Sequence, residues 1–140
     1  MSRTIDWAAL ERAAVEVRMR AYAPFSNYLV GAALLTTSGK IVVGCNVENS
    51  TYGATICAER SAIVNMVSQG REELLACVVA SRAPNAATPC GVCRQVLAEF
   101  AVALPIAAIG VDERGVVVER SAYDLETLLP HAFRMGRPSA

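Results

Sequence analysis

Lysine occurs once in this 140-residue chain, histidine once, and aromatic residues make up 6%. Charged residues are 19%, against ~25% in ordinary soluble domains. Thirteen basic residues balance thirteen acidic ones, for a net charge of +0. A neutral chain with one lysine lacks the basic footprint that tracks a nucleic-acid backbone, so no nucleic-acid partner is expected. No apolar run approaches the ~20 residues needed to cross a bilayer, so no membrane partner is expected either. The opening Met-Ser-Arg-Thr-Ile-Asp-Trp has no apolar signal-peptide core, and a cytoplasmic location is expected. Thiols stay reduced there, so the cysteines call for a role other than disulfides.

Apolar residues are plentiful at 54%, which excludes intrinsic disorder. The length suits one domain spanning residues 1–140 with a core of its own. The apolar surplus also predicts that part of the surface is covered by another subunit.

Asp6 is placed to cap a helix starting near Trp7, in which Leu10, Ala13, Ala14, Val17 and Ala21 recur at helical spacing. Pro24 ends it. Tyr28–Thr36 and Ile41–Val47 read as strands of a hairpin joined by Thr37-Ser-Gly-Lys40. Cys57–Gln69 reads as a helix stopped by Gly70. Strand Leu75–Ser81, helix Gly91–Phe100 and strand Pro105–Val111 follow. A turn at Asp112–Gly115 leads to a short strand, Val116–Val118, and a short helix closes the pattern around Asp124–Leu129. Apolar strands separated by helices predict a central sheet covered on both faces. Strand order is not legible from this pattern.

Two segments carry chemistry, Cys57-Ala58-Glu59-Arg60 and Pro89-Cys90-Gly91-Val92-Cys93-Arg94-Gln95. Both lie where a loop becomes a helix, and the free N–H groups and partial positive charge there favour thiolates. Cys90 and Cys93 have the C-x-x-C spacing that lets one zinc take both sulfurs. The same spacing serves structural and redox sites. A thioredoxin-like arrangement needs the pair just after the first strand of a βαβ unit, whereas here a hairpin and a helix precede it. Cys45 and Cys77 lie within apolar strands and read as buried structural thiols. Three cysteines without a fourth leave a metal position open for water. Glu59, two residues after Cys57, is placed to hold that water as a general base. The alternative is a carboxylate that merely favours the helix start.

These residues resemble the small, homotetrameric, zinc-dependent cytidine deaminases. Tyr22-Ala-Pro24-Phe25-Ser26, Val30-Gly31-Ala32-Ala33-Leu34 and Gly44-Cys45-Asn46-Val47-Glu48-Asn49 fit that family as well, and the similarity runs from about Tyr22 to Phe133. The resemblance implies a three-layer α-β-α sandwich with a central mixed five-stranded sheet. It implies zinc on Cys57, Cys90 and Cys93, with Glu59 moving protons. It also implies that Asn46 and Glu48 hold a ribose 3′-hydroxyl, that Phe25 lies beside the base, and that Phe133 reaches into a neighbouring subunit's pocket. The implied reaction is hydrolytic removal of ammonia from C4 of cytidine or deoxycytidine, a step of pyrimidine salvage, by water that the zinc activates. The alternatives are a related zinc deaminase of another small aminated base or nucleoside analogue, and a non-catalytic zinc-stabilised binding module.

Three thiolates and Zn²⁺ sum to −1, so something must draw charge from the sulfurs. Arg60 is the main candidate and Arg94 the second, each as a guanidinium donating to a thiolate. His131, beside Pro130, is not assigned to the metal.

Overall fold

A computed structural model describes residues 4–136. Its elements run α1 (Trp7–Arg18), β1 (Gly31–Thr36), β2 (Ile41–Cys45), α2 (Ala58–Gly70), β3 (Leu74–Arg82), α3 (Gly91–Ala98), β4 (Pro105–Val111), β5 (Val117–Asp124) and α4 (Leu125–Leu128). The strands form one sheet in the order β2-β1-β3-β4-β5. All neighbours are antiparallel except β3 and β4. The sheet is therefore mixed, and the parallel pair is the one bridged by a helix, α3.

Asp6 caps α1 as its position predicts, its carboxylate accepting from the Ala9 N–H at 3.1 Å. Leu10 and Ala14 of α1 pack on Ala33, Leu35, Val78, Ala80 and Ile109 on one face of the sheet. Ala58, Ala62, Ile63 and Met66 of α2 and Leu97 and Ala98 of α3 pack with Leu34, Cys77, Val79 and Ile106 on the other. The result is the three-layer α-β-α sandwich.

Two glycines set the distance between layers. A Cβ on Gly31 would lie 2.2 Å from the Ala14 carbonyl oxygen of α1, and one on Gly44 would lie 2.2 Å from the Ala62 nitrogen and 2.7 Å from the Ala58 oxygen of α2. Hydrogen at Gly31 lets α1 lie directly on β1, and hydrogen at Gly44 lets α2 lie directly on β2.

Several boundaries differ from expectation. Residues 28–30 precede β1, and β2 stops at Cys45. The segment 49–56 contains a one-turn 3₁₀ helix at Tyr52–Ala54. The last strand is longer than its apolar part, running to Asp124, because backbone pairing with β4 continues through the polar residues Glu119, Arg120 and Ser121. Arg120 lies on the α1 face, where Glu11 takes its guanidinium at 2.9 Å.

Candidate active site

α2 and α3 lie on the same face and begin side by side. Cys57 is the N-cap of α2 and Cys90 the N-cap of α3, both in extended backbone. Cys93 lies in the first turn of α3 and is buried. The three sulfurs converge within 4.8 Å of one another, with Cys57 Sγ and Cys90 Sγ 3.9 Å apart. Tetrahedral zinc with bonds of about 2.3 Å requires sulfurs about 3.8 Å apart. The donor set and its spacing therefore fit zinc. Among the described residues this is the one group of three or more Cys, His, Asp or Glu able to share an ion. Cys45 and Cys77 are outside it, and so is His131, an exposed residue near the tail.

The trio is electrostatically biased toward thiolate at Cys57. Hydrogen bonding from Cys93, with help from Arg60 and Cys90, pulls the Cys57 thiol down to about 5. Cys93 in turn is pushed up by its neighbour Cys57 and by burial. Burial pushes Cys77 up, as befits a structural thiol.

Glu59 lies in the first turn of α2 and is 4% exposed. Burial, joined by the charge at Cys57, pushes its carboxyl up to about 6. Arg60, next along, directs Nη2 at the Cys57 sulfur at 3.6 Å and at the Thr55 carbonyl oxygen at 3.3 Å. Arg94 does not do the same. Its guanidinium donates to the Pro89 oxygen at 2.7 Å, the Leu128 oxygen at 2.9 Å and Thr88 Oγ1 at 3.4 Å. The expectation that Arg94 donates to a thiolate is thus corrected: its fork is taken by oxygens, and it clamps the loop before Cys90 to the end of α4.

Beyond β2 the chain stays extended. Val47 bridges Tyr22 on one side and Ile56 on the other. Asn46 and Glu48 both close on the loop that follows α1. Buried Asn46 accepts from the Val30 N–H at 2.8 Å and donates to the Tyr28 oxygen at 2.8 Å. Glu48 Oε1 accepts from the Phe25 and Ser26 N–H groups at 2.9 and 3.1 Å, and Oε2 accepts from Ser26 Oγ. The Ser26 hydroxyl, with these N–H groups, holds the Glu48 carboxyl below the usual carboxylate range. A carboxylate offers about four lone-pair sites, so Glu48 keeps one free, while Asn46 keeps one N–H and one lone pair. Ser26 carries no separate signal in the sequence beyond its place in the Tyr22-Ala-Pro24-Phe25-Ser26 motif; its contact with Glu48 is a finding of the structure.

Phe25 and Phe133 are 56% and 71% exposed. Tyr52, in the 3₁₀ turn five residues before Cys57, and Val92, between Cys90 and Cys93, are exposed as well. A large apolar residue beside each metal-binding segment is thus open to solvent in the single chain.

Residues 6–109 match the family model described as "Cytidine and deoxycytidylate deaminase zinc-binding region". The chain is 39% identical to the cytidine deaminase of Halalkalibacterium halodurans over 129 residues, covering 92% of this chain and 95% of that protein. The crystal structure of cytidine deaminase from Burkholderia pseudomallei superposes with a TM-score of 0.82 at 37% identity, covering 92% of this chain and 100% of that one. The cytidine deaminase structure from Mycobacterium tuberculosis gives 0.78 at 38% identity, over 94% and 100%. With these matches and a zinc-competent thiol trio at two helix starts, the chain belongs to the cytidine and deoxycytidylate deaminase family. Zinc is the cofactor of that family's matching region.

Proposed function

We propose that the protein is a cytidine deaminase that converts cytidine and deoxycytidine, with water, to uridine and deoxyuridine plus ammonia, in the salvage of pyrimidines. The observation that carries the proposal is the buried carboxylate of Glu59 beside three convergent thiols that share one metal position. A site that only stabilises the fold has no use for a desolvated carboxylate there. Cys57, Cys90 and Cys93 hold the zinc. When bound, it acts as a Lewis acid that makes water nucleophilic near neutral pH.

Glu59 takes a proton from the attacking water and delivers it to ring N3, which makes C4 electrophilic. It then takes the remaining proton from the hydroxyl added at C4 and carries it to the exocyclic nitrogen, so that the C4–N bond breaks, C4 becomes a carbonyl and ammonia leaves. The free lone pair of Glu48 and the spare donor and acceptor of Asn46 take the ribose 3′-hydroxyl. Phe25 lies beside the base. Arg60 draws charge from the Cys57 sulfur, and Arg94 holds the Cys90 loop.

The whole chain, residues 1–140, acts as one domain in the cytoplasm and assembles as a homotetramer. The apolar surplus and the exposed Tyr52, Val64, Val92 and Phe133 support this assembly. Phe133 of each copy completes a neighbouring pocket. No helix among the described residues is long and apolar enough to cross a membrane.

The test is the loss of cytidine absorbance together with ammonia release, run with zinc-loaded and zinc-stripped protein. Turnover of cytidine by the loaded protein alone is expected. Zinc binding without turnover would favour the non-catalytic module.

A further inference from the structure

The end of α4 and the tail after it are tied to α3 through Arg94, Gln95 and Arg134. Arg94 Nη1 donates to the Leu128 oxygen at 2.9 Å, and Gln95 Nε2 donates to the Phe133 oxygen at 2.8 Å. The Arg134 guanidinium reaches the end of α3, with Nη1 donating to the Ala98 oxygen and Nη2 to the Ala101 oxygen at 3.3 Å. Between the first contact and the others, His131 takes a left-handed backbone conformation (φ 56°), uncommon for a residue other than glycine.

Arg134 has two physical reasons to stay where it is. The last carbonyls of a helix lack intrahelical donors, and a cation is favoured at that negative end of the helix dipole. The planar guanidinium can also serve two carbonyls at once, which a single ammonium does less well. α3 is the helix that begins at Cys90 and contains Cys93. The tail is therefore fixed to the element that carries two of the three thiols. Yet Phe133, whose own carbonyl is pinned and which directly precedes Arg134, presents a phenyl ring that is 71% exposed. Fastening the backbone directly after an exposed aromatic, at its own carbonyl and at the next side chain, lowers the entropy lost when that ring is later buried.

We propose that Arg134 is a positioning residue: by capping the end of α3 it holds the Phe133 ring in the pose that a neighbouring subunit's nucleoside pocket receives. This rests on the reading of Phe133 given above. Arg134 itself touches no substrate.

The experiment compares Phe133→Ala, Arg134→Ala, Arg134→Lys and the Phe133→Ala/Arg134→Ala double variant as zinc-loaded full chains. Cytidine KM and kcat, zinc content and thermal midpoint are measured for each. Arg134→Ala is expected to raise KM roughly three- to tenfold, the size of an ordinary coupling between neighbouring residues. Its kcat should stay within about twofold and its zinc content unchanged. Arg134→Lys should recover part of the KM. In the Phe133→Ala background, Arg134→Ala should add no further rise. A lower thermal midpoint without a KM change would make Arg134 a structural cap and overturn the proposal. Independent, additive effects of the two substitutions would overturn it as well. A normal KM in Phe133→Ala would remove the role of Phe133 itself, and the proposal with it. A raised KM in Phe133→Ala beside a normal one in Arg134→Ala would leave that role standing and remove only the positioning.

Discussion

Arg60 Nη2 stands 3.6 Å from the sulfur of Cys57 while it also donates to the Thr55 carbonyl. The two residues are one helical turn apart, so the fold needs no long-range contact to bring a cation against a thiolate. The role proposed for that contact is to offset the excess negative charge that three thiolates would place on one Zn²⁺, so that the metal would stay a useful Lewis acid. Arg60→Gln should retain zinc, or bind it slightly less well, and lose roughly 10–100-fold in kcat. Zinc content by metal analysis and cytidine turnover check both parts. Unchanged kcat would show that Arg60 does not tune the metal.

Replacing Cys57, Cys90 or Cys93 by Ala should remove zinc and lower the thermal midpoint, because metal binding and folding are coupled. Cys77→Ala should keep the metal. Its thiol is fully buried in the core, so the change costs about 1–2 kcal/mol of packing. Metal analysis of the purified variants separates the two outcomes.

Gly44 links the fold to the site. A methyl group there would collide with the backbone of α2 at Ala58 and Ala62, just behind Cys57 and Glu59. Gly44→Ala should destabilise the protein by about 1–3 kcal/mol. It should also weaken zinc retention, because α2 must move relative to α3. Denaturant midpoints and zinc competition with a chelator measure the two effects.

Asn46, proposed to take the ribose hydroxyl, also ties the end of β2 to the loop that follows α1. Asn46→Ala leaves the Val30 N–H and the Tyr28 oxygen without their partner. A loss of stability of about 1–3 kcal/mol is expected, together with a higher KM. Glu48→Gln should affect KM more than stability, since its contacts lie at the exposed loop. Chemical denaturation beside steady-state kinetics distinguishes the two residues.

Glu72 gives a pH signature away from the site. Ser38 donates to it through both its N–H and its hydroxyl, and this lowers the Glu72 pKa in the folded chain. The unfolded chain then binds the proton more readily. The stabilisation is present above the unfolded value of about 4.3 and is lost as pH falls through the lower folded value. Thermal midpoints measured across acidic pH should fall, and Glu72→Gln should flatten that part of the fall.

The helices, the hairpin and the buried strands were legible because each carries a local signal, such as the Asp6 cap or the apolar run Pro105–Val111. The apolar pattern marks only the start of the last strand, because its second half is polar and is held by backbone pairing to β4. The three thiols and Glu59 were legible because they lie within short motifs at helix starts. Arg94, the second candidate for a thiolate contact, bonds oxygens in the structure. Adjacency to Cys93 suggested a sulfur, but helical geometry turns its side chain toward Pro89 and Leu128. The contact of Arg134 with Ala98 and Ala101 left no local trace, since it joins residues more than thirty positions apart.

The most direct test of the account is the turnover of zinc-loaded Glu59→Gln protein on cytidine. The amide can still face the water but cannot accept its proton. General acid–base catalysis contributes ~10²–10⁴-fold, and here one group serves several proton transfers, so a loss at or beyond the upper end is predicted with zinc and fold intact. Near-normal turnover by a fully zinc-loaded Glu59→Gln protein would contradict the account and reduce Glu59 to a charge at a helix start.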